Sequence, residues 1–291
     1  MIQIHRLTKT YGQVRAVDDA SFSATPGRVT GFLGLNGSGK TTTLRVLLGL
    51  TRATSGAALI NRRPYRALRH PLREVGAVVE QDACHPGQTG RAHLLTQAVF
   101  AGVKQSRVDA LLDQVGLAEV AERRTREYSL GMRQRLAVAT ALLGQPSILV
   151  LDEPANGLDP EGILWLRRLV RDHARAGGTV LISSHFLTEL EQLIDDVVVI
   201  ARGQVRCAAP LAALTGGGLR WRVRGRDPGL LRKVFEDAGA RVRSAGAILD
   251  VTGLPAEQLG DLAFFAHVPI YELAPSDPDL ERIFFKLTAS S

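Results

Sequence analysis

Two patterns of hydrophobic and polar residues run along the chain, and they change near residue 215. Before that point, continuous apolar runs, typical of strands buried on both faces, alternate with segments whose apolar residues recur at helical spacing. After it, the predicted elements follow the order βαββαβ, which is typical of a ferredoxin-like α+β domain, and residues 280–287 predict a last amphipathic helix. The glycines at 216–218 form the clearest linker signal. We therefore predict an α/β domain over residues 1–215 and a small α+β accessory domain over residues 219–291.

The first domain is predicted to contain a mixed sheet, an antiparallel β-layer and a helical insertion. Alternating bursts over residues 1–33 predict the β-layer. Apolar residues at helical spacing from Gly90 to about Arg135 predict the insertion. Continuous apolar runs predict the buried strands of the main sheet. The runs that precede the candidate chemistry are Val29–Leu33, Ile148–Leu151 and Thr179–Ser184.

The composition limits which cellular compartment and which binding partners we predict. The net charge is +7, but the arginines are scattered apart from a cluster over residues 220–226, and aromatic residues that could stack on bases are scarce. We therefore predict no nucleic-acid partner. No apolar run approaches about 18 residues and the N-terminal sequence lacks a signal-peptide core, so we predict a cytoplasmic protein without a membrane span. Cys84 and Cys207 lie far apart and are predicted to be free thiols.

A glycine-rich segment follows the first apolar strand and opens a helical pattern. Its residues are Gly34, Leu35, Asn36, Gly37, Ser38, Gly39, Lys40, Thr41 and Thr42. The spacing Gly, four residues, Gly-Lys-Ser/Thr between a strand and a helix is the P-loop motif. Its glycines let backbone N–H groups approach a phosphate, and the helix dipole points its positive end at the same anion. We predict that Lys40 reaches the β- and γ-phosphates of a nucleoside triphosphate and that the Thr41 hydroxyl binds Mg²⁺.

Two carboxylates, Asp152 and Glu153, follow the buried run that ends at Leu151. Carboxylates at the end of a buried strand are costly unless a cation lies beside them. A triphosphate with Mg²⁺ supplies that cation, so we predict that Asp152 binds the metal and that Glu153 polarises the attacking water. A solvated pair of loop acids is the alternative, and the P-loop in the same chain disfavours it.

Several other polar residues allow two interpretations when each is taken alone. Tyr11, beside a turn, could stack on a purine ring or be a half-buried turn aromatic. Ser129 and Gly131 lie at a predicted helix N-terminus, where they could bind an anion or only cap the helix. His185 follows an apolar strand and could hydrogen-bond a phosphate or cap the strand end. The polar break Glu80–Asp82 also follows a buried strand, and ligands gather at such strand ends in open α/β sheets.

Taken together, these motifs resemble those of the ATP-binding subunits of ABC transporters, and the resemblance covers residues 1 to about 215. Gly34–Thr42 resembles Walker A. Ile148–Glu153 resembles Walker B, with Glu153 as the catalytic carboxylate. Tyr128–Gln134 resembles the signature motif, in which the serine and the second glycine contact a γ-phosphate. The resemblance implies a P-loop NTPase fold of the ABC type, with ATP and Mg²⁺ as the bound groups.

Further motifs extend the resemblance, and two departures from it matter. Asn156–Asp159 resembles the D-loop, His185 resembles the switch histidine, and Tyr11 then resembles the aromatic residue that stacks on adenine. The signature segment carries Leu130 and Met132 where glycine and glutamine are common.

The second departure concerns the Q-loop, whose glutamine contacts the metal. The usual glutamine position holds Glu80, with Gln81 one residue further on. A carboxylate would contact Mg²⁺ or water more strongly than an amide. The sequence leaves open which of the two residues serves as the Q-loop metal contact.

The wording of the signature, the Glu80 position and the C-terminal domain resemble the bacterial drug and antibiotic exporter branch. That branch implies a separate transmembrane permease, with this chain at the cytoplasmic face of the cell membrane. It also implies a head-to-tail homodimer in which Ser129 and Gly131 contact the γ-phosphate of ATP held by the other copy. Glu153 and His185 then position water for hydrolysis. The surface near Glu80 to His93 is expected to transmit the opening and closing of the dimer to the permease.

Two other classes of protein share parts of this pattern. Soluble ABC-type ATPases of translation or DNA repair carry tandem copies or a long coiled-coil insertion, whereas this chain has one copy and no sustained heptads. A P-loop GTPase would need an Asn-Lys-x-Asp motif, which is absent, and a kinase has no need of the signature helix. The sequence therefore favours a transport ATPase.

Overall fold

The computed structural model describes residues 1–79, 84–184, 193–214 and 220–275, together with residues 284, 287 and 288. The chain divides into two compact units, Met1–Pro210 with Phe284–Ser291 and Leu211–Ile283. Three predicted site residues, Glu80, Gln81 and His185, lie outside the described residues. The predicted linker and most of the predicted last helix lie outside them too.

The first unit contains strands and helices in an α/β order. The strands are β1 Ile2–Tyr11, β2 Val14–Ala24, β3 Val29–Leu33, β4 Ser55–Ile60, β5 Val75–Val78, β6 Ile148–Asp152, β7 Thr179–Ser184, β8 Asp196–Ala201 and β9 Gln204–Pro210. The helices are α1 Lys40–Leu47, α2 Pro71–Glu74, α3 Gly90–Ala101, α4 Ser106–Gln114, α5 Leu130–Leu142 and α6 Pro160–Arg175. Single 3₁₀ turns cover Tyr65–Ala67, Ala118–Val120 and Thr125–Glu127.

The main sheet has the strand order β5-β6-β7-β3-β8-β9, and only β9 is antiparallel to its neighbour. Strands β3, β6 and β7 are buried along their whole length, because their continuous apolar runs face packed elements on both sides. Leu33 pairs with Ser184, and Asp152 pairs with Ser183. The carboxyl ends of these strands therefore meet at one edge of the sheet, where the P-loop and the acid pair both begin.

The predicted antiparallel layer is the sheet β2-β1-β4. Its inner face joins the main sheet and α1 in one core that includes Phe22 and Phe32, whose ring centroids lie 5.0 Å apart. Register shifts interrupt the β1–β2 pairing. These irregularities explain why the sequence shows short bursts where the structure has one long hairpin.

The helical insertion comprises α3, α4 and α5, which pack on one another through buried leucine, valine and alanine side chains. Thr89 caps α3 by accepting a hydrogen bond from the backbone N–H of Ala92 at 3.1 Å. Ser129 caps α5 in the same way, accepting from the N–H of Met132 at 3.2 Å. The positions of both helices therefore depend on N-cap side chains that satisfy otherwise unpaired N–H groups.

The second unit has the predicted βαββαβ order after a short first helix. Its elements are α7 Leu211–Leu214, β10 Arg220–Gly225, α8 Pro228–Asp237, β11 Arg241–Ala245, β12 Ile248–Thr252, α9 Ala256–Phe265 and β13 Ile270–Pro275. The strands form an antiparallel sheet in the order β11-β12-β10-β13, and α8 and α9 bury Leu231, Phe235 and Leu259 in the core. The predicted ferredoxin-like arrangement is confirmed.

Two strands differ from their prediction. The sequence pattern did not reveal β9, because this edge strand is only half-buried and lacks a strong alternation. The apolar residues of Val268–Leu273 predict the last strand there, but the strand covers Ile270–Pro275. Val268 is buried, yet its backbone N–H donates to the carbonyl oxygen of Ala263 at 3.0 Å, so it belongs to the end of α9.

Candidate nucleotide-binding site

The P-loop connects the buried end of β3 to the first turn of α1. Gly39 precedes the helix with a φ of 111°, and a Cβ placed there would lie 2.5 Å from the carbonyl oxygen of Ala16 on β2. Only glycine fits this approach without strain. As a result α1 begins without a side-chain cap, and its first N–H groups are left for an external acceptor.

Lys40 points back along the loop from the first turn of α1. Its side chain is only 6% exposed, and its Nζ donates to the carbonyl oxygen of Gly34 at 2.6 Å. The same Nζ lies 3.4 Å from Oε1 of Glu153. A buried ammonium held in this way is positioned beside both the loop and the acid pair, where it attracts an anionic group strongly.

Thr41 and Asp152 are joined directly. The Thr41 hydroxyl donates to Oδ2 of Asp152 at 2.8 Å, and the Ser183 hydroxyl donates to Oδ1 of the same carboxylate. Asp152 is buried, with 7% of its surface exposed. A hydroxyl and a carboxylate oxygen in contact are hard donors of the kind that Mg²⁺ prefers.

Glu153 has an unusual backbone conformation for a residue with a side chain. Its φ is +50°, and its N–H donates to the Ser183 hydroxyl at 2.9 Å. Non-glycine residues in the left-handed region are uncommon and tend to cluster at functional sites. The turn directs the Glu153 carboxylate towards Lys40 rather than into solvent, with 17% of the side chain exposed.

The P-loop residues fit a triphosphate on three independent features. The Ser38 hydroxyl is buried and has no hydrogen-bond partner among the described residues, so a phosphate oxygen would satisfy it. A Cβ on Gly37 would meet nothing within 4 Å, so the tip of the loop is open. The uncapped start of α1 and the Lys40 ammonium add positive potential at the same point.

Tyr11 lies at the hairpin end of β1, where it pairs with Val14 across the turn. It is 47% exposed, and Nζ of Lys9 lies 4.6 Å from its ring centroid. Ala16, two residues beyond Val14, approaches Gly39 of the P-loop. The hairpin that carries this exposed aromatic ring therefore also approaches the P-loop through Ala16.

The signature segment lies elsewhere, at the start of α5. Ser129 is exposed, and its hydroxyl caps its own helix. A Cβ on Gly131 would lie 3.3 Å from the carbonyl oxygen of Gly157, and the Leu130 side chain packs over Gly157. The segment is therefore supported by the D-loop turn, and no hydrogen bond joins Ser129 or Gly131 to the P-loop within the described part of the chain.

The sequence predicted most of the residues that the structure brings together, but it missed Ser183. This hydroxyl bridges the Asp152 carboxylate and the Glu153 backbone, so it fixes both acids. Its only sequence signal is its place at the polar end of a buried strand beside β6. The contacts of Glu80, Gln81 and His185 lie outside the described residues, and their predicted roles stay predictions.

Known proteins resemble this chain in sequence over the first unit. A family model described as "ABC transporter" matches residues 17–156, and a model for a domain of unknown function matches residues 220–281. The bacitracin transport ATP-binding protein of Bacillus licheniformis is 42% identical over 208 residues, which is 70% of this chain and 68% of that protein. The lantibiotic transport ATP-binding protein of Streptococcus pyogenes is 35% identical over 70% of this chain and 89% of its own length.

Solved structures agree with the sequence comparison. The structure of an ATP-binding subunit of an ABC transporter has a TM-score of 0.68 at 26% identity, covering 74% of this chain and 92% of that one. A bacterial ABC transporter cassette, solved as a dimer, has a TM-score of 0.67 at 23% identity and covers 72% of this chain and 99% of its own, which supports the fold. The family resemblance predicted from the motifs is confirmed: the chain belongs to the ABC transporter family, as one of its ATP-binding subunits.

Proposed function

We propose that this protein binds and hydrolyses ATP as a homodimer and thereby powers a separate membrane permease. As a member of its family the protein is an ATPase. The observation that carries the proposal is the contact of Lys40 with Glu153 and of Thr41 with Asp152, at the edge where the parallel strands end. The Lys40 cation, the metal donors Thr41 and Asp152 and the candidate base Glu153 thus lie around one loop that fits a triphosphate.

Each of these side chains has a role in the proposed reaction. The P-loop N–H groups, the Ser38 hydroxyl and Lys40 bind the phosphates. Thr41 and Asp152 would hold Mg²⁺, which neutralises charge on the phosphate oxygens when it is bound. Glu153 accepts a proton from the attacking water as general base, aligned by Ser183 through its backbone N–H. His185 is proposed to assist in positioning that water.

The signature segment supports a head-to-tail dimer. Ser129 is exposed at the start of α5, where helix N–H groups favour an anion, and among the described residues no hydrogen bond joins it to the P-loop of its own chain. We assign Ser129 and Gly131 to the γ-phosphate of ATP held by a second copy. Tyr11 is assigned to the adenine ring, and Glu80 or Gln81 to the metal in the Q-loop role.

The permease contact is assigned to the outer side of the helical insertion. Val99 and Phe100 near the end of α3 are 80% and 73% exposed, and neighbouring exposed apolar side chains of this kind suit a protein contact. Leu72, also exposed, lines a cavity of about 90 Å³ together with Ala101 at the end of the same helix. The sequence predicts this contact at the surface near Glu80 to His93; Glu80 lies outside the described residues, and His93 is buried against Thr140.

A separate permease is consistent with the chain itself, since no helix in the described ranges is long and apolar enough to cross a bilayer. We place the protein at the cytoplasmic face of the membrane, bound to that permease and to no nucleic acid. Relatives named for bacitracin and lantibiotic transport favour the export of antibiotics or similar hydrophobic compounds. Those names also favour transport over a role in translation or DNA repair.

Co-purification from native membranes tests this function. A tagged wild-type chain, solubilised in mild detergent with ATP, is expected to bring down one polytopic membrane protein. The double variant Val99→Ser and Phe100→Ser should lose that protein while it keeps its ATPase activity, because these residues lie outside the nucleotide site. Recovery of ribosomes or DNA-repair proteins in place of a membrane protein would contradict the proposal.

A further inference from the structure

In the sheet of the second unit, helices cover one face, and the described side chains of the other face are exposed or half-buried. Helices α8 and α9 pack on the covered face, where Val223, Leu249 and Val251 are buried in the core. Because side chains alternate along a strand, the residues between these positions point to the opposite face. The charge of that open face is not explained by the proposed ATPase function.

Strand pairing brings arginines together on the open face. Arg222 of β10 and Arg243 of β11 both pair with Asp250 of the strand between them. One row further along, Arg220 and Arg241 both pair with Thr252. Arg224 continues the β10 series. We call the set Arg220, Arg222, Arg224, Arg241 and Arg243 the arginine face.

The positive charge of the arginine face is only partly balanced, by Asp250 within the face and by Glu272 on the edge strand β13. Arg224 forms an ion pair with Glu272 at 3.5 Å, and both side chains are well exposed. Arg222, Arg241 and Arg243 are exposed, and their side chains make no hydrogen bond or ion pair with any described residue. An exposed surface with such an excess of one sign attracts a polyanion.

The shape and composition of the face distinguish between polyanions. Sheets that bind single-stranded nucleic acid stack bases on aromatic side chains of the open face. Here Trp221 of β10 lies on the core side and donates its Nε1–H to the carbonyl oxygen of Leu254 at 2.9 Å. Tyr271 is exposed, but it is a single ring on the edge strand β13 and does not form a row of stacking residues. The cytoplasmic loops of a permease are not suitable either, because they carry an excess of lysine and arginine.

We propose that the arginine face binds the anionic phospholipid headgroups of the membrane that holds the permease. An exposed sheet face that carries arginines instead of a row of aromatic residues suits a surface of phosphates, which arginine binds through paired hydrogen bonds. The presence of a membrane nearby rests on the proposed function, whereas the charge pattern does not. The accessory domain thus gives the subunit a second attachment to the membrane, independent of the permease.

Vesicle co-sedimentation of the full chain tests this inference. The probes are vesicles of phosphatidylglycerol mixed with phosphatidylcholine, and vesicles of phosphatidylcholine alone. The double variant Arg222→Gln and Arg243→Gln is expected to bind the anionic vesicles about tenfold to thirtyfold more weakly than wild type, as the loss of two membrane-facing charges predicts. Wild type should not bind the neutral vesicles.

The matched control is Arg232→Gln with Lys233→Gln on α8. Both residues are exposed on the helical side of the same unit, so this variant loses the same charge from the other layer. It should bind anionic vesicles within about twofold of wild type. Equal losses in the two variants would show that only net charge matters, and would overturn the proposal.

Two further outcomes would also overturn it. One is unchanged vesicle binding by the arginine-face variant. The other is a loss of binding to duplex or single-stranded nucleic acid in the same variant that is larger than its loss of vesicle binding. ATPase activity measured on the same samples separates this inference from the proposed function, because Arg222 and Arg243 take no part in the nucleotide site. An active ATPase with no vesicle binding would refute only the lipid contact.

Discussion

The P-loop region and the signature region differ in how far one chain completes them. Around the P-loop, polar side chains of buried Lys40, Asp152 and Ser183 are already paired: Lys40 with the half-buried Glu153, and Asp152 with Ser183 and with the exposed Thr41. At the signature, Ser129 is exposed, and its hydroxyl accepts a hydrogen bond from its own helix and from no other described residue. The P-loop region therefore forms a site within one chain, whereas the signature region forms part of the exposed surface.

This difference teaches where the second copy of the chain is needed. Buried polar groups that satisfy one another hold a fixed geometry, so the P-loop region can bind a nucleotide without help. The N-terminus of α5 offers favourable N–H groups to an anion that its own chain does not supply. Substitutions in the first region should therefore affect binding or chemistry in each copy, and substitutions in the second should affect assembly.

The largest effect is expected from Glu153→Gln. The amide keeps the shape of the side chain but cannot accept a proton from water, so ATP turnover should fall by roughly 10²–10⁴ while ATP binding is kept. Size-exclusion chromatography with ATP should show a longer-lived dimer. Glu161→Gln, an exposed acid in the first turn of α6, is the matched control and should keep normal turnover. Equal turnover in wild type and Glu153→Gln would remove Glu153 from the reaction.

Lys40→Ala should impair ATP binding itself. Its ammonium is the buried cation of the P-loop, and the loss of a charge-assisted contact of about 3 kcal/mol predicts roughly hundredfold weaker binding. Titration with a fluorescent ATP analogue measures the change. Lys104→Ala, an exposed lysine of the helical insertion, should leave the affinity unchanged. If Lys40→Ala bound ATP normally, the assignment of the P-loop pocket would be wrong.

Ser129→Asp tests the signature region, as Lys40→Ala tests the P-loop region. Aspartate is a good N-cap, so α5 should persist, but its charge would repel a γ-phosphate. ATP affinity of the monomer should stay within about twofold of wild type, whereas turnover and ATP-dependent dimerisation should fall at least about tenfold. Thr89→Asp places the same residue at the N-cap of α3 and should keep both properties. A monomer with much weaker ATP binding would mean that Ser129 acts within its own chain.

The smallest effect concerns pH and the packing of the insertion. Burial lowers the pKa of His93, whose ring nitrogen lies 3.1 Å from the Thr140 hydroxyl. Because the folded pKa is below the unfolded value, the stabilising contribution is complete above pH of about 6.5 and is lost as the pH falls. His93→Gln should lose less thermal stability than wild type on acidification, and His70→Gln, an exposed control, should behave as wild type. Identical pH profiles for wild type and His93→Gln would exclude His93 as a source of the dependence.

The sequence predicted the P-loop region well because its chemistry is local. The order of strand, glycine loop and helix lies within residues 29–50, and the continuous apolar run before Asp152 predicts a buried parallel strand. The hydrogen bond of Thr41 to Asp152 depends on strand order in the sheet, which brings distant segments together. The sequence did not reveal the role of Ser183 because that role also depends on strand order.

Other features depend on packing that no local pattern shows. The half-buried edge strand β9 has neither a continuous apolar run nor a clean alternation. Val268 has the hydrophobic character of a strand residue but packs at the end of α9. The arginine face also could not be predicted in full. The sequence reveals a cluster over 220–226, but Arg241 and Arg243 lie beside it only because their strand pairs with β12.

Mixing two inactive variants tests whether each active site is shared between copies. Lys40→Ala lacks a working P-loop and Ser129→Asp lacks a working signature, so a mixed dimer contains one site in which both parts are intact. ATPase activity of the mixture should rise well above the average of the two variants assayed separately. Activity equal to that average, with mixed dimers present, would contradict a site built from the P-loop of one chain and the signature of another.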